Sequence, residues 1–290
     1  MNKINLVFIF LAIFTLAFKA DKPSYKLYNS EGKESFYTKL IKDASEADIV
    51  FYGELHNDPI SHWLELEITK DLHKVKGDKL ILGAEMFERD DQLIINEYLD
   101  NMYESGKFEP EAKLWKNYNT DYKPLLEYAK ENTLLFIATN IPRRYASMVS
   151  RSGFEILDSL SDEAKKYIAP LPVDYDPELK GYKDMLDMGG GNGMVHANTN
   201  LPKAQAIKDA TMAYSILQHW EDGNTIIHYN GSYHSRNFEG IVWYLRQSKP
   251  GLRIVTVETV LQEDISDIEE DNIGIASYVV CVPESMTKTY

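Results

Sequence analysis

The chain has 290 residues, of which 44% are hydrophobic and 26% are charged. A chain of this length buries about three-quarters of the surface that it exposes when unfolded, so it needs no disulfide or structural metal to fold. Its single cysteine, Cys281, excludes an intramolecular disulfide and any cysteine-rich zinc or iron–sulfur site. The net charge of −14 argues against a protein that binds nucleic-acid phosphates.

Residues 1–20 have the pattern of a secretory signal peptide. A basic start at Lys3 precedes an apolar run over residues 6–18, and small residues lie near its end. Cleavage is expected after Ala20 or after Ala17. The run is shorter than the roughly 20 apolar residues of a membrane span, and an uncleaved anchor is the alternative. Because no cysteine lies nearby, we expect an exported protein, periplasmic or secreted, that is not a lipoprotein and keeps no stable membrane span after cleavage.

Six short runs of apolar, mainly β-branched residues follow the predicted signal. They cover residues 48–52, 79–84, 134–139, 225–229, 253–260 and 275–282. Continuous apolar runs of this length are typical of strands that are buried on both faces of a parallel sheet. Helical patterns over residues 59–75 and about 202–220 lie between the runs, and Asp58 and Pro59 form a helix-start signal. The alternation predicts an α/β fold: a mostly parallel sheet with helices on both faces.

Residues 167–202 interrupt this alternation. They contain four prolines, three methionines and the run Gly189-Gly190-Gly191. Long segments of this kind are commonly functional lids or inserted subdomains, with disorder as the alternative. We therefore expect a small inserted subdomain over about residues 155–202, partly helical around residues 180–188. It would belong to a single α/β domain that covers residues 21–290.

Polar and charged side chains directly follow four of the predicted strands. They are Glu54 and His56 after the first run, Glu85 after the second, Arg143 and Arg144 after the third, and His234 after the fourth. Open parallel sheets bind ligands at the carboxyl ends of their strands. If these four strands are parallel and adjacent, the side chains converge in one crevice.

Two chemistries fit this set. Glu54, His56, Glu85 and His234 could form a catalytic acid–base group that deprotonates a water or a hydroxyl. Alternatively, His56, Glu85 and His234 could hold zinc or another divalent ion that activates a water. A capping role for Glu54 and a structural role for His234 are the non-catalytic readings, and His62 is interpreted as a packed or capping histidine. The chain has no Gly-x-Ser-x-Gly elbow, so a serine nucleophile is not expected.

Five blocks of the sequence resemble, in order, the ChaN-like haem-binding family. The blocks are Gly53-Glu54-Leu55-His56 with His62, residues 84–90, Asn140-Ile141-Pro142-Arg143, Gln205-x-x-x-Asp209-x-x-Met212-Ala213 and Gly231-Ser232-Tyr233-His234. The resemblance covers about residues 49–261. The family is grouped with the Tiki proteases and the erythromycin esterases, which share a Gly-x-x-His block and a strand-end glutamate block. It implies an exported, iron-regulated protein that binds haem, in some members as a dimer.

The resemblance also implies a tyrosine as axial haem ligand, with a histidine nearby. The candidate tyrosines of the inserted segment are Tyr167, Tyr175 and Tyr182. We favour Tyr182, which precedes methionines on a predicted apolar helix. His196 could hydrogen-bond this tyrosine or approach the iron. Arg143 and Arg144, at a predicted helix start, are candidates for binding the haem propionates. The alternative for each of these residues is an ordinary core or surface position.

The sequence leaves two functions open. The first is an exported haem-binding protein for haem or iron acquisition or storage, which could form a homodimer. The second is a metal-dependent hydrolase of the Tiki protease or erythromycin esterase type that uses the strand-end Glu and His residues. A structural module without either activity is a third interpretation.

Overall fold

The computed structural model describes residues 22–189 and 199–290. In this part of the chain, seven strands form one sheet. They are β1 (Lys26–Asn29), β2 (Ile49–Glu54), β3 (Leu80–Glu88), β4 (Phe136–Asn140), β5 (Thr225–Gly231), β6 (Ile254–Gln262) and β7 (Tyr278–Pro283). All six predicted strands are present, with ends that differ by a few residues. The sequence does not predict β1, because a four-residue edge strand is too short to show a periodic pattern.

The strand order is β1-β7-β6-β2-β5-β3-β4. Only the β1–β7 pair is antiparallel, and the other neighbouring strands in this described sheet run parallel. The predicted mostly parallel sheet is therefore confirmed. Strands β2, β5, β3 and β4 lie side by side, so their carboxyl ends meet at one edge of the sheet.

Alternating strand residues build one apolar core on each face of the sheet. Val50 and Tyr52 of β2 face the first core, whereas Ile49 and Phe51 face the second. This follows from strand geometry, in which successive side chains point to opposite faces. The strands are buried on both sides, which explains why they read as continuous apolar runs rather than as alternating patterns.

Helices cover both cores, as the sequence predicts. The described α-helices are α1 (Tyr37–Glu46), α2 (Pro59–Lys76), α3 (Gln92–Leu99), α4 (Ser105–Glu111), α5 (Lys123–Glu131), α6 (Arg143–Ser152), α7 (Asp162–Lys165), α8 (Lys180–Gly189), α9 (Leu201–His219) and α10 (Ile241–Ser248). Helices α1–α5 contribute to the first core, and α6, α9 and α10 contribute to the second.

Helix α2 begins where the sequence predicts. The Asp58 side chain accepts hydrogen bonds from the backbone N–H groups of Ile60 and Ser61, both at 3.0 Å, and Pro59 occupies the first helical position. An N-cap of this kind satisfies helix N–H groups that have no partner within the helix. Because β2 ends only a few residues earlier, this start places the first turns of α2 beside the carboxyl end of β2.

The predicted helix around residues 180–188 is present as α8. Its first N–H groups are held from outside the segment: the Glu239 carboxylate accepts from the backbone of Lys180 at 3.0 Å and from Gly181 at 2.8 Å. A carboxylate at this position also complements the positive end of the helix dipole. Helix α8 packs against α9, so this part of the predicted inserted segment lies against the half of the molecule that contains the second core.

Two predictions lie outside the described residues. These are the signal peptide over residues 1–20 and the placement of His196, which falls within residues 190–198. Of the helices that the structure describes, none has the combined length and apolar character required to cross a bilayer.

Candidate functional site

The structure brings the strand-end residues together around Gly231, at the end of β5. Strands β2 and β5 pair so that Glu54 lies opposite Gly231. The backbone N–H of Gly231 donates to Glu85 Oε2 at 2.9 Å. The His56 ring lies against the same glycine, since a Cβ atom there would be 2.8 Å from its Nε2.

A bulge in β3 directs Glu85 into this site. Strand β3 pairs with β4 up to Ala84, and the register then shifts before pairing resumes at Glu88. Glu85 lies in the irregular stretch and is 3% exposed. Bulges commonly redirect a side chain next to a functional site. The sequence does not reveal the bulge, because the two residues added to β3 leave the apolar pattern of the strand intact.

Glu54 and His56 form a pair at the mouth of the site. His56 Nδ1 lies 2.6 Å from Glu54 Oε1, and the Tyr122 hydroxyl donates to the same oxygen at 2.8 Å. Burial lowers the pKa of His56, but the hydrogen bond and charge of Glu54 raise it by more. The His56 side chain remains 38% exposed, whereas Glu54 is fully enclosed. The pair is thus a partly exposed histidine oriented by a buried carboxylate.

His234 lies between two buried carboxylates. Its Nε2 is 3.1 Å from Glu85 Oε1, and its Nδ1 is 2.5 Å from Asp209 Oδ1. Burial alone would lower the pKa of His234, but the two carboxylates raise it to about 9. His234 is therefore an imidazolium at neutral pH. Asp209, on α9, is a site residue that the search for polar residues after strands missed, since it does not follow a strand. The available signal was the sequence block around Asp209 that resembles the ChaN-like family.

The favoured haem tyrosine contacts this network. The Tyr182 hydroxyl donates to Asp209 Oδ2 at 2.7 Å, and its ring lies 5.6 Å from that of Tyr175. Burial and the Asp209 charge raise the pKa of Tyr182 far above its usual range. Tyr182 is 3% exposed, whereas Tyr175 and Tyr167 are partly exposed. The inserted segment thus reaches the strand-end site through one buried hydroxyl group.

Arg143 and Arg144 begin α6, directly after β4. The Arg144 guanidinium donates to Asp90 Oδ2 at 2.6 Å and lies 4.5 Å from the centre of the Tyr145 ring. Arg143 is exposed. Their role in binding propionates stays a prediction, as do the roles of the candidate tyrosines.

A second cluster lies behind Glu54, between β2 and α2. His62 Nδ1 is 2.9 Å from Glu54 Oε2 and 3.5 Å from Glu65 Oε2. Burial and the charge of Glu54 raise the pKa of Glu65 to about 8. Sequence reasoning treated His62 as a packed histidine and missed Glu65. The available signal was the His-x-x-Glu spacing, which places both side chains on one face of a helix.

A further buried carboxyl group lies beside the site on β6. Glu258 accepts a hydrogen bond from Ser235 Oγ at 2.5 Å, and burial raises its pKa to about 8. Gly53 lies opposite it in the sheet, and a Cβ atom on Gly53 would be 2.0 Å from Glu258 Oε2. The glycine that precedes Glu54 therefore provides the space that this carboxyl group occupies.

Comparisons with known proteins agree on the fold. The chain matches the family described as "Haem-binding uptake, Tiki superfamily, ChaN" over residues 40–245. Protein RETICULATA-RELATED 5, a chloroplastic protein of Arabidopsis thaliana, is 27% identical over 202 residues, or 66% of this chain. The match covers only 27% of that relative, so the chain spans about a quarter of its length.

Two solved structures share the architecture. ChaN of Campylobacter jejuni, described with cofacial haem, has a TM-score of 0.69 at 17% identity, covering 90% of this chain and 98% of that one. A mutant of the erythromycin esterase EreC in its open conformation has a TM-score of 0.53 at 10% identity, covering 92% and 99%. At these identities the likeness concerns the fold alone. The family match, in contrast, extends over most of the sequence, and this chain belongs to the ChaN family of haem-binding uptake proteins in the Tiki superfamily.

Proposed function

We propose that this protein binds ferric haem through the inserted segment at the carboxyl edge of its sheet, and that it is exported and serves haem or iron acquisition or storage. The observation that carries the proposal is membership of a family described as haem-binding uptake proteins. The aromatic cluster of the inserted segment supports it: Tyr175 packs against both Phe154 and Tyr182, with ring centres 5.6 Å apart in each case.

The residues present fit haem in the type of their donor atoms. A tyrosinate is a hard anionic oxygen ligand and suits ferric iron. Tyr175 is partly exposed and offers the more accessible hydroxyl, while Leu186 on α8 adds an exposed apolar side chain. Ligation by Tyr182 requires loss of its proton and of its hydrogen bond to Asp209. The proposal therefore keeps Tyr182 as the favoured ligand and makes Tyr175 the competing assignment.

Titration of the purified protein with ferric haem tests the proposal. We expect a saturable shift of the Soret band, and we expect Tyr182→Phe to weaken binding or change the spectrum because it removes the ligand oxygen. Tyr128→Phe is the matched control, since Tyr128 lies on the other core and contacts His73. If Tyr167, Tyr175 and Tyr182 can all be replaced without effect, the tyrosine assignment is wrong. A wild-type protein without a Soret shift contradicts haem binding itself.

A second function, hydrolysis of an ester or amide, is favoured by the convergence of Glu54, His56, Glu85 and His234. Because Glu54 holds Nδ1 of His56, the other ring nitrogen faces the space beside Gly231, where it could take a proton from a water. Both ring nitrogens of His234 are engaged, by Glu85 and by Asp209, so His234 would hold the Glu85 carboxylate in place beside Gly231. The metal-binding reading of His56, Glu85 and His234 stays a prediction.

A panel of ester and peptide substrates tests this second function. We expect Glu85→Gln and His56→Ala to lower the rate by about 100-fold or more, as loss of an acid–base group does. Glu88→Gln is the control, because Glu88 ends the same strand and lies 3.5 Å from Lys113 rather than in the site. Absence of hydrolysis over the whole panel, or equal rates in Glu85→Gln and wild type, would contradict it.

A further inference from the structure

We propose that Glu54, His62 and Glu65 form a buried binding site for one divalent first-row metal ion, of the zinc or manganese class. The site lies between the end of β2 and the first turns of α2, behind the partly exposed His56. It is distinct from the metal set His56, Glu85 and His234 considered from the sequence. It depends neither on haem binding nor on hydrolysis.

The three side chains already have the spacing of metal ligands. One ligand atom from each lies within 4.8 Å of the other two. The closest pair, His62 Nδ1 and Glu54 Oε2, is 2.9 Å apart, and His62 Nδ1 is 3.5 Å from Glu65 Oε2. Nitrogen and oxygen ligands lie about 2.1 Å from zinc, so ligand atoms on one ion are about 3–4 Å from each other. A small rearrangement is enough to bring all three onto one ion.

The same atoms lack the partners that buried polar atoms normally have. Glu54 Oε2, His62 Nδ1 and both carboxylate oxygens of Glu65 are buried without a hydrogen bond from any described residue. Although Nδ1 and Oε2 are close, their directions do not make a hydrogen bond. Glu65 is 0% exposed. Buried carboxylates without partners are costly, and a cation bound between them removes that cost.

The surrounding contacts orient the ligands toward a common point. His62 Nε2 lies 3.2 Å from the backbone oxygen of His56, which can only accept, so Nε2 carries a proton. When a metal ion displaces the proton from Nδ1, the Nδ1 lone pair points toward the two carboxylates. The other Glu54 oxygen is held by His56 and Tyr122. Histidine bonded to a backbone carbonyl is a common second-shell arrangement at metal sites.

Charge and access are also consistent with a divalent cation. Once a metal ion displaces the protons of the cluster, two carboxylates and a neutral imidazole carry a charge of about −2, which one divalent ion neutralises. A groove lined by Pro59, His62, Trp63, Leu66, Thr120 and Asp121 leads from the surface to His62. The competing occupant is a proton. If Glu65 is protonated and His62 is charged, the buried cluster is stabilised without any metal.

A metal titration of the full chain distinguishes a bound metal ion from a bound proton. The protein is stripped with a chelator, dialysed, and titrated with Zn²⁺ or Mn²⁺, followed by metal analysis after removal of free ion. We expect one ion per chain and a thermal unfolding midpoint that rises by about 5 °C or more at 100 times the dissociation constant. No stoichiometric ion and no shift would show that the cluster holds a proton, and would overturn the proposal.

Variants locate the ion. Glu65→Gln and His62→Gln should each weaken metal affinity by about 100-fold, while Glu67→Gln, a partly exposed position on the same helix that pairs with Lys70, should not. Using two ligand variants guards against one that fails to fold. An ion that survives both ligand variants but is lost in His234→Ala would belong to the strand-end set instead, and that result would also overturn the proposal.

Discussion

The His234→Ala variant is expected to unfold with a free energy about 3–5 kcal/mol lower than that of wild type near pH 7, as is typical when one partner of a buried ion pair is removed. His234 is 3% exposed and lies within 3.1 Å of Glu85 and 2.5 Å of Asp209. Without the imidazolium, two buried carboxylates face each other with no cation between them. Urea unfolding followed by circular dichroism measures the difference.

A large loss of stability in His234→Ala indicates that water is excluded from this network, whereas a small loss indicates that water reaches it. His73→Ala is the control, because His73 is half-buried and its Nδ1 contacts the Tyr128 hydroxyl rather than a carboxylate. Adding Asp209→Asn to His234→Ala should return part of the lost stability, since it removes one of the two unpaired charges. A loss below about 1 kcal/mol, typical of exposed pairs, would mean that water reaches this network.

Glu258 is expected to make the protein less stable as the pH rises. Its pKa is raised from 4.5 to about 8 by burial, so the folded state keeps a proton that the unfolded state releases. Stability from this group is full below about pH 4.5 and is lost as the pH rises through about 8. At about 1.4 kcal/mol per pKa unit, the loss is on the order of 5 kcal/mol.

The Glu258→Gln variant isolates this effect. Glutamine keeps the shape of the protonated acid and cannot ionise, so the variant should be more stable than wild type at about pH 9 and close to it at about pH 5. Glu65 and His234 titrate in the same direction, and only the difference between the two proteins reports on Glu258. Glu263→Gln, at an exposed position, should follow the wild-type curve. If stability depends on pH in the same way in Glu258→Gln and in wild type, Glu258 has its usual pKa in the folded protein and the prediction is wrong.

The sequence by itself determined the class of fold and the location of the strand-end site. Strands buried on both faces are apolar at most positions, and Asp58 and Pro59 mark the start of α2 in the local sequence. These signals depend on neighbours in the chain, so they can be read without tertiary contacts. Once the strands are parallel and adjacent, Glu54, Glu85 and His234 have to share one edge of the sheet.

Only the tertiary structure decided which charges pair. Asp209 is recognisable as a partner of His234 only once α9 packs on the sheet, against β4. The bulge that turns Glu85 inward leaves no trace in the apolar pattern. Likewise, the sequence does not distinguish Glu65 and Glu258 from exposed acidic residues, and only the structure shows that both are buried away from water. The free energy of a carboxyl group is set by the solvent and charges that surround it, and these are brought together by distant parts of the chain.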